Sequence, residues 1–273
     1  MSRLIVSCTT TSRRMRFLYY MLQSLKAQTV QPDLILVNLS STAYLADDGV
    51  NDRPEWLDGD NVLVNWVPNT GPYRKLLPAV EIAESDDLIL TADDDILYGE
   101  NWVERLGELA GKYKGHIVSG RARCIKRSLT GGWQNYQLWK LVAEPMCGFE
   151  ILPTGGAGAV YRKGLLDLDF LMDPMFADLA PTTDDLWFRA ASMRKDVNVA
   201  VDPRISQDNI RLRHEQGLFE HNQGRARRLG EKVREQTVGN VQAWMGLPTT
   251  ENDRAWRRII RYSDSWPKGL VGL

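Results

Sequence analysis

A chain of 273 residues, 43% hydrophobic and 25% charged, has the make-up of an ordinary globular protein with material for a large core. Its net charge of −1 gives no overall field of the kind nucleic-acid binders carry, so nucleic acid is not an expected partner. The three cysteines, Cys8, Cys124 and Cys147, are odd in number and lack metal-type spacing, and no apolar run reaches signal-peptide or transmembrane length; a cytoplasmic protein is expected.

The first half alternates apolar runs with amphipathic segments. "RLIVSC" (3–8) predicts a strand and "MRFLYYMLQSLKAQ" (15–28) a helix; "DLILVNL" (33–39) and "NVLVNWV" (61–67) predict two more strands. The turn "NTG" precedes a helical "PYRKLLPAVEIAE" (72–84), then comes the strand "DLILT" (87–91), and "ENWVERLGELAGKY" (100–113) predicts a helix. Strands separated by helices imply right-handed crossovers, hence an α/β fold with a mostly parallel central sheet flanked by helices. Beyond residue 115 the pattern loosens. "GHIVSGRARCI" (115–125) reads as one strand, "ILPTGGAGAVYRKG" (151–164) as glycines against a short β-run, and "PTTDDLWFRAASMRK" (181–195) as a helix capped by Thr183. Residues 207 to 262 are charge-rich and read as helical.

In such a sheet the ligand site lies at the carboxyl ends of the strands. That singles out "TTTSRR" (9–14), Ser40 and Ser41, "NTG" (69–71) and the triplet Asp93, Asp94, Asp95. Hydroxyls and arginines after the first strand suit phosphate or sugar oxygens, and they equally suit helix capping by Thr11 or Ser12. The glycines at 155–156 and 158 allow close approach of a ligand, or simply a tight turn. Three adjacent carboxylates repel one another. Helix capping explains one or two of them, and the set invites a cation.

"PYRKLLPAV", "LILTADDDILY", "PTGGAGAVY" and "TTDDLWF", in this order and spanning roughly residues 3 to 200, resemble a bacterial group of glycosyltransferases related to glycosyltransferase family 2, of the capsule or lipopolysaccharide type. Two features depart from that pattern: Arg74 stands where the first of two lysines is usual, and Arg162–Lys163 follow the small-residue loop. The resemblance implies a GT-A (nucleotide-diphospho-sugar transferase) fold over residues 1–205, with a nucleotide-binding half (1–115), an acceptor half (116–205) and a helical C-terminal extension (206–273). It implies a nucleotide-sugar donor of the UDP-sugar type, an Mn²⁺ or Mg²⁺ cofactor, and a surface-polysaccharide or lipid-linked glycan acceptor.

On the same resemblance Asp93 and Asp95 form the metal pair, Asp95 as the direct ligand. Thr9, Thr10, Arg13, Lys75, Asp93 and Asp94 contact the nucleotide-sugar, and Gly155, Gly156 and Trp187 line the acceptor side. Asp94 is expected to hydrogen-bond backbone amides. An inverting transfer needs a base across the pocket from the metal; Asp185 takes that role and Asp184 orients the acceptor. His214 is a candidate further metal ligand or a solvated helix residue, while His116 and His221 have no supporting context.

Two other readings compete with an inverting glycosyltransferase. One is a haloacid-dehalogenase-type phosphohydrolase, which "LILTADDDIL" imitates, although here some 90 residues precede the motif. The other is a non-catalytic sugar- or nucleotide-binding module, which has no need of the second acidic pair. Finally, residues 210–273 carry 12 Lys and Arg against 7 Asp and Glu. Arginines interleaved with Trp256, Ile259, Ile260 and Tyr262 suit peripheral contact with the inner face of the plasma membrane, or a tail helix packed on the domain.

Overall fold

The computed structural model describes residues 2–127, 133–212 and 247–262. Its centre is an eight-stranded sheet. Strands β1 (Leu4–Thr9), β2 (Leu34–Leu39), β3 (Val62–Trp66) and β4 (Leu88–Asp93) form a parallel block in the order β3-β2-β1-β4. Helix α1 (Met15–Lys26) links β1 to β2, and α2 (Leu77–Ile82), preceded by a 3₁₀ turn at Gly71–Lys75, links β3 to β4. After the short β5 (Ile96–Leu97) and α3 (Trp102–Lys112), the sheet is continued by β6 (Ile117–Ser119), with β7 (Ala122–Cys124) diverging from it. The second half adds β8 (Met146–Gly148), β9 (Ile151–Pro153), β10 (Ala159–Tyr161), α4 (Leu168–Leu171), α5 (Phe176–Leu179), α6 (Asp184–Met193), β11 (Val199–Val201) and β12 (Ile210–Arg211). The sheet runs on from β4 as β10-β6-β11-β8, in which β10 and β8 oppose the other strands.

Strand periodicity places the core on both faces of the sheet. Ile5, Leu36 and Ile89 point to a layer made by α2, α4, α5 and α6. Their neighbours Val6, Ile35, Val37 and Leu90 point to the layer under α1 and α3. The predicted strand over 115–125 is two strands: β6 pairs with β10 and β11, whereas β7 leaves the sheet and pairs with β9. The tail also differs from the helical expectation. Ile210–Arg211 is a strand paired with β5 beside the aspartate triplet, residues 213–246 lie outside the described residues, and a helix follows at Glu251–Tyr262.

Most of the apolar face of that last described helix packs on the domain. Ala255 and Ile259 are fully buried and Trp256 nearly so, its ring edge-on to Trp133 and Trp139. Tyr262 packs towards Trp187, and its hydroxyl donates to Asp173 at 2.6 Å. The arginines that flank this face lie outside it, Arg254 and Arg258 pairing with Glu251. No described helix is long and apolar enough to cross a membrane.

Candidate functional site

One cleft of about 400 Å³ opens at the carboxyl ends of β1 and β4, bounded by the 3₁₀ turn before α2, the glycine loop before β10 and the first turn of α6. The aspartate triplet turns the corner from β4 into β5. Its first member is fixed from behind, since the Asp93 amide donates to the Tyr98 hydroxyl at 2.8 Å and the Tyr98 ring stacks on Trp102. Trp102 also donates its indole N–H to the Ala157 carbonyl at 2.8 Å, which pins the glycine loop beside Asp93. The loop then passes Gly158 at φ +83°, where a Cβ would meet Trp102 Cζ2 at 2.4 Å, so neither the backbone angle nor the space admits a side chain.

The three aspartates are treated differently. Asp93 keeps 25% side-chain exposure to the cleft and binds the Lys75 ammonium at 3.1 Å. Burial alone would raise its pKa, but the charge and hydrogen bond of Lys75, helped by Arg14 and Arg211, hold it below the ordinary value. Asp94 is buried, and it bonds the Thr10 hydroxyl at 2.5 Å and the Arg14 guanidinium rather than backbone amides. Burial pushes its carboxyl up to about 7 against the pull of Arg14 and Thr10, with Asp95 and Asp93 adding to the rise. Asp95 lies 3.3 Å from Arg14 and 4.0 Å from Arg211 on β12.

Lys75 is the hub of the site. Its ammonium lies 2.8 Å from Asp184, 3.1 Å from Asp93 and 3.9 Å from Asp185, on a side chain only 9% exposed. Burial opposes its charge, yet Asp184, Asp93 and Asp185 together hold the ammonium well above its ordinary pKa. Asp185 accepts the Gly155 amide at 3.0 Å and keeps 29% side-chain exposure, although it is ringed by protein. Burial raises it to about 7; Lys75 and the Gly155 amide lower it, and Asp184 and Asp93 raise it further. A Cβ built on Gly155 would sit 2.7 Å from the Lys75 ammonium and 3.3 Å from one oxygen each of Asp93 and Asp185. Glycine is therefore what lets the two acidic motifs converge.

The two acidic motifs thus face one cleft, joined through one lysine. Trp187 departs from the expectation. It is fully buried, stacked on Phe170 with its indole N–H on the Leu171 carbonyl, and does not line the cleft. Thr183 occupies the N-cap position of α6 but makes no side-chain capping bond. Thr9 and Thr10 line the cleft, but their hydroxyls bond the Asn38 carbonyl and Asp94. Arg13 stands at the rim, 55% exposed and paired with Asp48. Gly155 and Gly156 line the cleft beside Asp93 and Asp185. His116 packs edge-on against Tyr113, and His214 and His221 lie outside the described residues.

Several residues escaped the sequence reading. Arg14, one position past Arg13, is the arginine that meets the triplet. Asp47 is 4% exposed and gathers four donors: its oxygens accept from the Ser12 and Gly49 amides, from Asn69 and from the buried Arg74 at 2.8 Å. Arg74 also donates to the Thr10 and Gly71 carbonyls, so the arginine that departs from the family pattern ties the first loop to the turn that carries Lys75. "DDG" at 47–49 was the available signal, an aspartate that accepts an amide two residues on before a glycine. Arg121, Arg123 and Tyr136 line the remaining wall.

A scan against protein-family models matches none, and a search of curated proteins finds no match. Among solved structures the chain is similar to S. aureus TarS 1–349 in complex with UDP, at 14% identity and TM-score 0.43, over 73% of this chain and 57% of that one. It is also similar to the 2-C-methyl-D-erythritol 4-phosphate cytidylyltransferase of Francisella tularensis, at 14% identity and TM-score 0.47 over 80% and 97% of the two chains. A 4-diphosphocytidyl-2C-methyl-D-erythritol synthase matches at 15% identity and TM-score 0.49, over 79% and 95%. The chain spans little more than half the length of the TarS fragment it matches.

Proposed function

We propose that this chain is a GT-A-type glycosyltransferase that moves a sugar from a nucleotide-sugar, a UDP-sugar on the family resemblance, to a surface-polysaccharide or lipid-linked glycan acceptor with inversion. One observation carries the reading. A self-repelling acidic triplet, a buried lysine and a second acidic pair meet in a single cleft at the carboxyl ends of the parallel strands.

The donor set suits a hard divalent cation. Asp93 and Asp95 offer carboxylate oxygens two residues apart on a tight corner, and Asp93 is open to the cleft. Among the described residues no group of three or more His, Cys, Asp or Glu side chains forms a complete cage. Mg²⁺ characteristically takes one or two carboxylates and fills its sphere from water and substrate phosphates. Asp93 and Asp95 would hold the ion, and it would supply positive charge to the departing diphosphate. Arg14, already beside Asp94 and Asp95, adds fixed positive charge at the same place.

Asp185 supplies the base. General-base catalysis works best when the group titrates near the working pH, and burial brings this carboxyl to about 7. The Gly155 amide fixes one carboxylate oxygen and Lys75 restrains the other side of the group. Asp184, closer to Lys75 than Asp185 is, holds the lysine in place.

The test is a panel of nucleotide-sugars screened for nucleoside diphosphate release with Mn²⁺ or Mg²⁺, with and without EDTA, and a product analysed for anomeric configuration. Metal-dependent release from one UDP-sugar with inversion supports the reading. Phosphate release from simple phosphomonoesters would favour the phosphohydrolase, and nucleotide binding with no turnover of any donor and acceptor would favour the binding module.

A further inference from the structure

The cleft carries positive charge that the donor chemistry does not use. Arg13, Arg14, Arg74, Lys75 and Arg211 each have a carboxylate within 4.0 Å. Arg121 and Arg123 have none among the described residues. Arg121 donates to the Thr154 hydroxyl at 3.0 Å. Arg123 donates to the Trp139 carbonyl at 2.6 Å and lies over the Tyr136 ring at 4.9 Å, while its Nε is buried without a hydrogen-bond partner. Both arginines face the cleft, Arg121 just before β7 and Arg123 within it, with Ala122 between them turned into the core. Burial lowers the Arg121 pKa against the opposing pull of Tyr136; the neighbouring guanidiniums of Arg123 and Arg211 lower it further and Asp185 raises it, so like charges are held together in a half-enclosed wall beside one carboxylate.

Such an arrangement is costly for the empty protein and is relieved by an anion. The position of the wall indicates which anion. It rises from β7 and the Tyr136 segment, beside Asp185, whereas Arg14 and Lys75 stand at the ends of β1 and β4 where the diphosphate belongs. Building on the glycosyltransferase reading, we propose that Arg121 and Arg123 form a subsite for a carboxylate or phosphate carried by the acceptor, so that the substrate class is an acidic or phosphate-bearing glycan. The guanidinium forks would grip the anion in the two-point manner arginine favours and bring a nearby hydroxyl to Asp185.

The experiment measures binding of matched small probes to the full chain with UDP and Mn²⁺ present, by ligand-observed NMR titration. The probes are methyl glucoside, methyl glucuronide and glucose 6-phosphate. At least one charged probe should bind about tenfold or more tightly than the neutral one, the discrimination a charge-assisted hydrogen bond supplies. Arg121→Gln and Arg123→Gln should each abolish that preference, and Arg123→Lys should restore part of it. UDP affinity and the thermal melt serve as controls; should Arg123→Gln fail to fold, Arg121→Gln decides. Equal or undetectable binding of charged and neutral probes overturns the inference while leaving intact a glycosyltransferase that binds UDP. A preference for UDP-glucuronic acid over UDP-glucose that disappears in Arg123→Gln would place the anion on the donor and overturn it as well. Failure of every common nucleoside diphosphate, UDP included, to bind removes both this inference and the glycosyltransferase reading.

Discussion

Replacing Lys75 by Met removes the single cation that three carboxylates share while keeping the length of the side chain. At 2.8, 3.1 and 3.9 Å, each contact is worth roughly 4–6 kcal/mol in gross Coulomb energy at an effective dielectric near 20. Most of that gross figure is offset by the desolvation of a side chain 9% exposed, so the measurable quantity is the cost of stranding its partners. Breaking a buried pair by deleting one member costs about 3–5 kcal/mol, and we expect a loss of that size at pH 8. The loss should shrink on acidification. Asp185 already titrates at about 7 with Lys75 present, so the folded state binds protons that an unfolded aspartate, near 3.8, does not. A folded carboxyl raised in this way contributes stability in acid that is lost as the pH climbs through about 7. Without Lys75 both Asp93 and Asp185 lose the charge that lowers them, so the variant should recover stability towards pH 5. Urea denaturation followed by tryptophan fluorescence at pH 5, 6.5 and 8 measures this, with Lys75→Arg as the charge-conserving control. A penalty below about 1 kcal/mol at pH 8, the worth of an exposed ion pair, would refute the hub, as would a penalty independent of pH.

Asp185→Asn should lower transfer by about 10²- to 10⁴-fold, the usual contribution of a general base, with UDP affinity nearly unchanged by calorimetry. In the unaltered chain kcat should rise with pH through about 7 as the Asp185 carboxyl ionises, a step that the Asn variant lacks. Gly158→Ala forces a side chain onto a φ of +83° and against Trp102, and should cost about 2 kcal/mol or more, read as a lower Tm. Trp256→Ala should cost about 3–5 kcal/mol by urea denaturation. Co-sedimentation with anionic vesicles should not depend on Trp256 or Ile259, because both are buried in the domain.

How much of this was readable from the chain depended on periodicity. The parallel block β1 to β4 was legible because β1, β2 and β4 are apolar runs buried on both faces and amphipathic helices follow β1 and the triplet; β3, at the sheet edge, is half-exposed. The triplet was legible because it follows such a run. Trp187 was misassigned to the cleft for want of the same arithmetic. It lies two residues beyond Asp185, or about 200° around the helix, so a carboxylate facing the cleft sends the indole into the core. The choice of Arg14 over Arg13 could not be read, since a 3₁₀ turn at Ser12–Arg14 decides which one faces inward. Nor could the break at Gly120, because β6 and β7 are each only three residues long and their partners, β10 and β9, come from later in the chain. The resemblance gives Lys75 as a nucleotide-sugar contact, but its three carboxylate neighbours come from residues 93 and 184–185, a meeting that only the folded sheet discloses.

The wall that carries Tyr136 is held by the last described helix. The Tyr136 amide donates to Asp253 at 2.6 Å, Asn135 donates to the Leu247 carbonyl at 2.6 Å, and Asn252 itself borders the cleft. The wall of Thr10, Arg14, Lys75 and Asp93, by contrast, is assembled from residues 9–95. The two sides of one cleft are thus built by segments far apart in the sequence. On the proposed glycosyltransferase reading, acceptor choice can then diversify through changes near residues 247–262 without disturbing nucleotide binding. Chimeras exchanging only that helix and its docking segment around Asn135 would show how freely this half can be re-specified.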